Sequence, residues 1–238
     1  MAKHRQVAAG VLMAGVLLLQ ARVPAVEGAL SIPGTLAYID SDNNGTPDTN
    51  AYTIRTAGLD STWTAGREAR ITAAINEWDN DTQWNPNANL TASPGFTCYD
   101  SQSCFGLWID GTDRPADCGG SFPTNVLATN CVLLVRRFVN GAPYDDVQDT
   151  DIIFHTAGTG HPTFTYSAAG SAEDDVWDFQ GVLTHEVGHS ISLIDIPQGS
   201  CASGGTLETM CGYVYAGWQT TQQRTLVPDD VTSANGIY

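Results

Sequence analysis

The sequence predicts an α+β domain, and three observations point that way. Apolar residues recur at helical spacing: Ile71, Ala74, Ile75 and Trp78 stand at i, i+3, i+4 and i+7. A second apolar helical face is offered by Val182, Leu183, Val187 and Ile191. Between the two, residues 131–139 and 151–154 have strand composition and stand among turn-forming residues. With 238 residues, the chain is long enough for one domain with a sizeable core.

Residues 1–25 are expected to be a signal peptide. Lys3, His4 and Arg5 form a charged start, and residues 7–19 are an apolar run too short to span a bilayer. Val23-Pro24-Ala25 offers a cleavage site after Ala25; an uncleaved anchor is the rival. No Cys follows the run, which argues against a lipid anchor, and no second apolar span is present. The expectation is a secreted or periplasmic, monomeric protein of residues 26–238 with no stable membrane anchor.

Charge and cysteines agree with export. The formal net charge is −16. Loss of Lys3, Arg5 and Arg22 with the leader leaves seven Arg against 26 acids, a net charge of −19. That charge argues against nucleic acid and anionic membranes as partners. Six Cys suit an oxidising compartment and allow fifteen pairings. Proximity along the chain favours Cys98 with Cys104, Cys118 with Cys131, and Cys201 with Cys211. A Cys-bound zinc is the alternative, but C-x-x-C spacing is absent.

In chain order, Asp40, Asp42, Asn44 and Asp48 resemble the first half of an oxygen-lined Ca²⁺ loop. Ala51 stands where such a loop has Glu, and a polar hairpin or entry loop is the alternative. A helix is expected over 63–80. Residues 85–130, rich in Asn, Gly, Pro, Ser and Cys, read as a long disulfide-pinned insertion. Strands follow at 131–139 and 151–154, then a polar loop over 155–176. In that loop His155 and His161 could hold a second, structural zinc or be surface residues. Asp174, Asp175 and Asp178 could bind Ca²⁺ or favour a helix start through its dipole.

The chemistry concentrates at His185-Glu186-Val187-Gly188-His189, which reads H-E-x-x-H. On a helix, residues i and i+4 project from one face, so His185 and His189 can grip one ion. Neutral imidazole suits Zn²⁺, and two His plus one further ligand leave a position open for water. Glu186 then stands where it can take a proton from that water. No His follows His189, so the third ligand is a carboxylate. Asp195 can return to the metal after a turn; Glu208 would need a second helix in a Gly-rich segment.

Extended, this stretch resembles the motif of the metzincin zinc peptidases, H-E-x-x-H-x-x-G-x-x-H, in which Asp replaces the last His in some members. Here Ser192 stands at the Gly, and Asp195 at the last His. Met210 looks like the methionine of the turn that lies under the zinc in this clan. Arg224-Thr225-Leu226 and Asp229-Asp230-Val231 are similar to the opening of the last helix in the matrixin branch. Asp151-Ile152-Ile153-Phe154 resembles that branch's edge strand for extended substrate.

The resemblance implies a twisted mixed sheet packed on two long helices, with a small C-terminal subdomain. It implies a zinc metalloendopeptidase acting on protein or peptide substrates, with His185, His189 and Asp195 as ligands and Glu186 as general base. It places Ile152, Ile153 and Phe154 along the substrate. Matrixins carry Pro and Tyr two and four residues after the Met; Gly212 and Val214 stand there instead, leaving Tyr213 or Tyr215 to line the substrate pocket. A catalytically inactive or non-peptide-hydrolysing secreted zinc protein of the same fold is the alternative.

Overall fold

The computed structural model describes residues 10–14, 37–38, 45–47, 52–57, 65–89, 105–111, 126–155, 162–171, 173, 175–197, 201–203, 206–212, 221 and 223–237. Its seven-stranded sheet contains β1 (Gly10–Ala14), β2 (Ala37–Tyr38), β3 (Tyr52–Ala57), β4 (Pro86–Asn89), β5 (Phe105–Gly111), β6 (Ala128–Val139) and β7 (Ala142–His155). The strand order is β1-β6-β7-β5-β3-β4, with β2 pairing separately against β7. The sheet is mixed. Pairs β1–β6 and β6–β7 are antiparallel, whereas β7–β5, β5–β3, β3–β4 and β2–β7 are parallel. The molecule is thus α+β, as its sequence predicts.

Helix α1 (Ala65–Asp81) joins β3 to β4. Its Ile71, Ala74, Ile75 and Trp78 are all fully buried, the face that their spacing predicts. The helix stops where Thr82 turns back, its N–H and hydroxyl meeting the Trp78 carbonyl at 3.1 and 2.7 Å. Helix α2 (Phe179–His189) is buried along its whole length, against α1 and β6. At 11 residues it is shorter than the long helix expected. Asp178 caps its start by accepting from the Gly181 N–H at 2.7 Å. That settles Asp178 as a helix cap. The cap is fixed by Arg224, whose Nε lies 2.8 Å from Asp178 Oδ2 and whose Nη2 reaches Oδ1. Two cross-links tie the helices together: Trp78 Nε1 donates to the Thr184 carbonyl and Arg70 Nη1 to Gln180 Oε1, each at 2.8 Å.

Two expectations need correcting. Residues 85–130 are more than an insertion, because β4 and β5 belong to the main sheet and β5 is an interior strand between β3 and β7. Residues 151–154 are no edge. They lie in β7, bonded to β6 on one side and β5 on the other. Ile152, Ile153 and Phe154 are buried, and the Phe154 ring stacks on Phe179 with centroids 4.5 Å apart. Consecutive apolar residues are what a strand covered on both faces requires. These three therefore build the core, on an interior strand and not on the edge expected. The loop expected over 155–176 contains a short parallel pair, β8 (Thr163–Thr165) and β9 (Val176–Asp178).

After α2 come a small hairpin, β10 (Ala202–Ser203) and β11 (Thr206–Leu207), and the helix α3 (Pro228–Asn235). Cys201 and Cys211 form the expected disulfide, with Cα atoms 5.1 Å apart. Cys131 is also disulfide-bonded; Cys98, Cys104 and Cys118 lie outside the described residues. So do Asp40, Asp42, Asn44 and Asp48, His161, Tyr213 and Tyr215. Segment 10–14 of the expected leader forms β1 on the outer side of β6. Among the described residues no helix is long and apolar enough to cross a membrane.

Candidate metal centre

His185 and His189 project from one face of α2, as their spacing requires. Their Nε2 atoms are 3.0 Å apart. The backbone then turns sharply. The Ser192 N–H bonds the His189 carbonyl at 2.9 Å, and Ser192 takes φ +65°, a left-handed conformation. This is the position where the metzincin motif has Gly, and the turn forms with Ser in its place. It returns Asp195, whose Oδ1 lies 3.1 Å from His185 Nε2 and 3.4 Å from His189 Nε2. Both His side chains are fully buried, whereas that of Asp195 is 30% exposed. Among the described residues this trio is the one group of His, Cys, Asp or Glu side chains close enough to share an ion.

Left-handed backbone costs a non-glycine residue about 1–2 kcal/mol. The buried Ser192 Oγ also lacks a hydrogen-bond partner. Ser192→Gly removes both penalties, against a larger loss of chain entropy on folding. The expected net result in denaturant unfolding is a gain of about 1 kcal/mol. A loss of stability would mean that the turn is held in some other way.

The hydrogen bonds behind the imidazoles decide what the trio can hold. His185 Nδ1 lies 2.8 Å from the Thr209 carbonyl, and His189 Nδ1 lies 2.6 Å from the Leu193 carbonyl. A carbonyl only accepts, so each Nδ1 carries the proton, and a neutral ring then presents its Nε2 lone pair to the centre. Two lone pairs and a carboxylate oxygen converge. Asp195 Oδ1 makes no hydrogen bond despite its proximity to both rings. Such a trio needs positive charge between its members. Ligand bonds of about 2.0–2.2 Å in a tetrahedron put donor atoms roughly 3.3 Å apart, close to the observed separations.

Without an ion, protons answer the same need for positive charge, and a metal would have to displace the one on His185 Nε2. Burial opposes a charged His185, but the Asp195 carboxylate outweighs it, with help from Glu186 and the Thr209 carbonyl, and pushes the imidazole up to about 9. Burial would likewise raise Asp195, yet the two imidazoles hold it well below the usual carboxylate range. Burial pushes Glu186 up to about 7, against the pull of both imidazoles. Glu186 is fully buried, and neither carboxylate oxygen has a hydrogen-bond partner.

Glu208 is buried, but it is not part of the trio. Burial, with Asp230 and Asp229 nearby, raises its pKa. Asp195 is therefore the carboxylate that the fold delivers to the His pair. Met210 is fully buried beneath α2. A Cβ built on Gly188 would come within 2.3 Å of its sulfur and 2.7 Å of Trp78, so Gly188 is what admits both side chains. Gly212 is similarly placed, 3.0 Å from Asp195 Cβ when a Cβ is added. The Met210 turn is tied to Asp195 through Ile196, whose N–H donates to the Met210 carbonyl at 2.7 Å and whose carbonyl accepts from Gly212 at 3.1 Å. It also hangs from α3. Asp230 accepts from the N–H groups of Thr209, Met210 and Val227 at 3.1, 3.4 and 3.2 Å.

One participant was invisible in the sequence. Asn130, in β6, donates from Nδ2 to the Glu186 carbonyl at 2.7 Å and to Ser190 Oγ at 2.8 Å. A lone Asn outside any motif gives no sequence signal. His155 is buried with Nδ1 3.2 Å from the Val126 carbonyl, a core position and not a surface one. No protein-family model matches the chain. No curated protein matches it either.

Proposed function

We propose that this chain is an exported zinc endopeptidase of the metzincin type, resembling its matrixin branch. One observation carries the proposal: His185 Nε2, His189 Nε2 and Asp195 Oδ1 converge as acceptors, with each imidazole oriented from behind by a backbone carbonyl. Rear hydrogen bonds of this kind are what metal-ligating His requires. Further support comes from the left-handed turn at Ser192, from Met210 beneath the helix, and from the mixed sheet. Export rests on the leader-like start and the six cysteines.

His185, His189 and Asp195 would hold Zn²⁺. The bound ion would supply Lewis acidity, polarising a water and the scissile carbonyl. Glu186 takes a proton at its carboxylate and delivers it to the departing amine. Burial favours the protonated form of that carboxyl, which suits a group that must hold the proton before handing it on. The Thr209 and Leu193 carbonyls keep the imidazoles in one tautomer. An extended peptide aligns by strand addition. The interior position of β7 moves that role to β6, which runs beside α2 and already pairs antiparallel, from Asn130 to Leu134, with residues 10–14. Segment 10–14 belongs to the leader that export would remove. Tyr213 and Tyr215 are proposed for the substrate pocket. Ca²⁺ at Asp40, Asp42, Asn44 and Asp48 stays a proposal from the sequence.

The test combines metal analysis with hydrolysis of a casein-like mixture. One zinc per chain and activity abolished by chelator are expected. Asp195→Ala is expected to weaken zinc binding and activity together, whereas Glu208→Gln leaves zinc binding intact. Zinc-loaded protein that cleaves nothing would defeat the peptidase assignment. Release of zinc by Glu208→Gln, with Asp195→Ala silent, would defeat the ligand assignment.

A further inference from the structure

The end of α2 departs from regular helix geometry just where the chemistry sits. In a regular helix the Glu186 carbonyl accepts the Ser190 N–H. Here that N–H bonds the Val187 carbonyl at 3.0 Å, and the chain tightens toward the Ser192 turn. The Glu186 carbonyl is left in a dry environment and needs another donor. Asn130 provides it from the neighbouring strand, at 2.7 Å. Its second Nδ2 proton reaches Ser190 Oγ at 2.8 Å, and that oxygen lies 3.1 Å from Thr150 Oγ1. Asn130, Thr150 and Ser190 are all fully buried.

Two facts separate this network from ordinary core bonding. Asn130 Oδ1 has no hydrogen-bond partner. A buried amide with an orphaned acceptor is a poor stabilising device, because the desolvation of that oxygen is not offset. The second fact is that each imidazole has its own rear anchor, at Thr209 or Leu193, while neither oxygen of the Glu186 side chain makes a hydrogen bond. Its position is therefore fixed through the main chain that carries it. We propose that Asn130 is the positioning residue of Glu186, holding the main chain beneath the general base through the freed carbonyl. This rests on the peptidase assignment above. A base must stand within about 2.6–3.2 Å of the proton it takes, and a misplacement of about 1 Å can cost on the order of 100-fold in rate.

The experiment is a double-mutant cycle on full-length protein, with zinc affinity by chelator competition and melting temperature measured alongside hydrolysis. Asn130→Ala is expected to keep its zinc affinity and KM within about threefold of wild type and to lose roughly 10- to 100-fold in kcat. In a Glu186→Gln background, where no base remains to be positioned, the same substitution is expected to change kcat by no more than about threefold. Should Asn130→Ala fail to fold, Asn130→Ser, which withdraws the reach but keeps a small polar group, is held to the same criteria. A folded, zinc-loaded Asn130 variant with unchanged kcat overturns the proposal, as does an undiminished loss in the Glu186→Gln background. Wild-type protein that binds zinc but cleaves no peptide overturns the peptidase assignment as well, whereas active wild type with an equally active Asn130 variant overturns this proposal alone.

Discussion

Glu186→Gln is expected to bind zinc as the wild type does and to lose about 10²–10⁴ in turnover, the usual contribution of a positioned general base. The side chain is not among the converging donors, so metal content should not change. Stability separates this substitution from simple damage. A carboxyl raised from about 4.5 to about 7 by burial is disfavoured as an anion in the folded state. The unfolded chain loses that proton first as pH rises, so the metal-stripped wild type loses stability from about pH 4.5 up through about 7. The neutral amide has no such loss. Above pH 7 the chelated variant should therefore unfold at higher denaturant than the chelated wild type. An inactive variant that is also less stable there, or that has shed its zinc, would remove Glu186 from the role of base.

Gly188→Ala is expected to damage the site through packing alone. The added methyl would stand 2.3 Å from the Met210 sulfur and 2.7 Å from the Trp78 ring. Met210 is flexible, but Trp78 is pinned by its bond to the Thr184 carbonyl. Overpacking of this kind costs about 1–3 kcal/mol and at times more. Relief by movement of Met210 would drag Thr209, whose carbonyl orients His185. Loss of such a rear contact commonly weakens metal binding by about 10- to 100-fold. The measurement is denaturant unfolding with and without zinc, next to chelator competition. A variant with wild-type values in both would show that the turn does not press on the helix.

How far the sequence reveals this site depends on how local each relation is. His185 and His189 are legible because helical spacing alone brings them together. The face of α1 is legible for the same reason. Asp195 and Glu208 could not be ranked beyond an argument from turn chemistry, since the choice depends on whether Ser192 accepts a left-handed backbone, and it does. The interior place of β5 was hidden by turn-forming residues on either side of it, because sheet order is a long-range property. The misplacing of Ile152, Ile153 and Phe154 at an edge has a plain cause. Their unbroken apolar run signals burial on both faces, whereas an edge strand with one wet face would alternate. Asn130 was beyond reach, because its role arises only where a freed helix carbonyl meets a strand far away in sequence.

The suspension of the Thr209–Met210 turn from Asp230 bears on the order in which the molecule is made. A chain leaves the ribosome from its N-terminus. His185, His189 and Asp195 therefore emerge well before the carboxylate that holds in place the Thr209 peptide, and with it the carbonyl behind His185. Until residue 230 has followed, the centre lacks one of its supports. On the proposed function, hydrolytic competence waits on residue 230, and a nascent chain that has emerged only as far as Asp195 holds its ligands without the support that orients them.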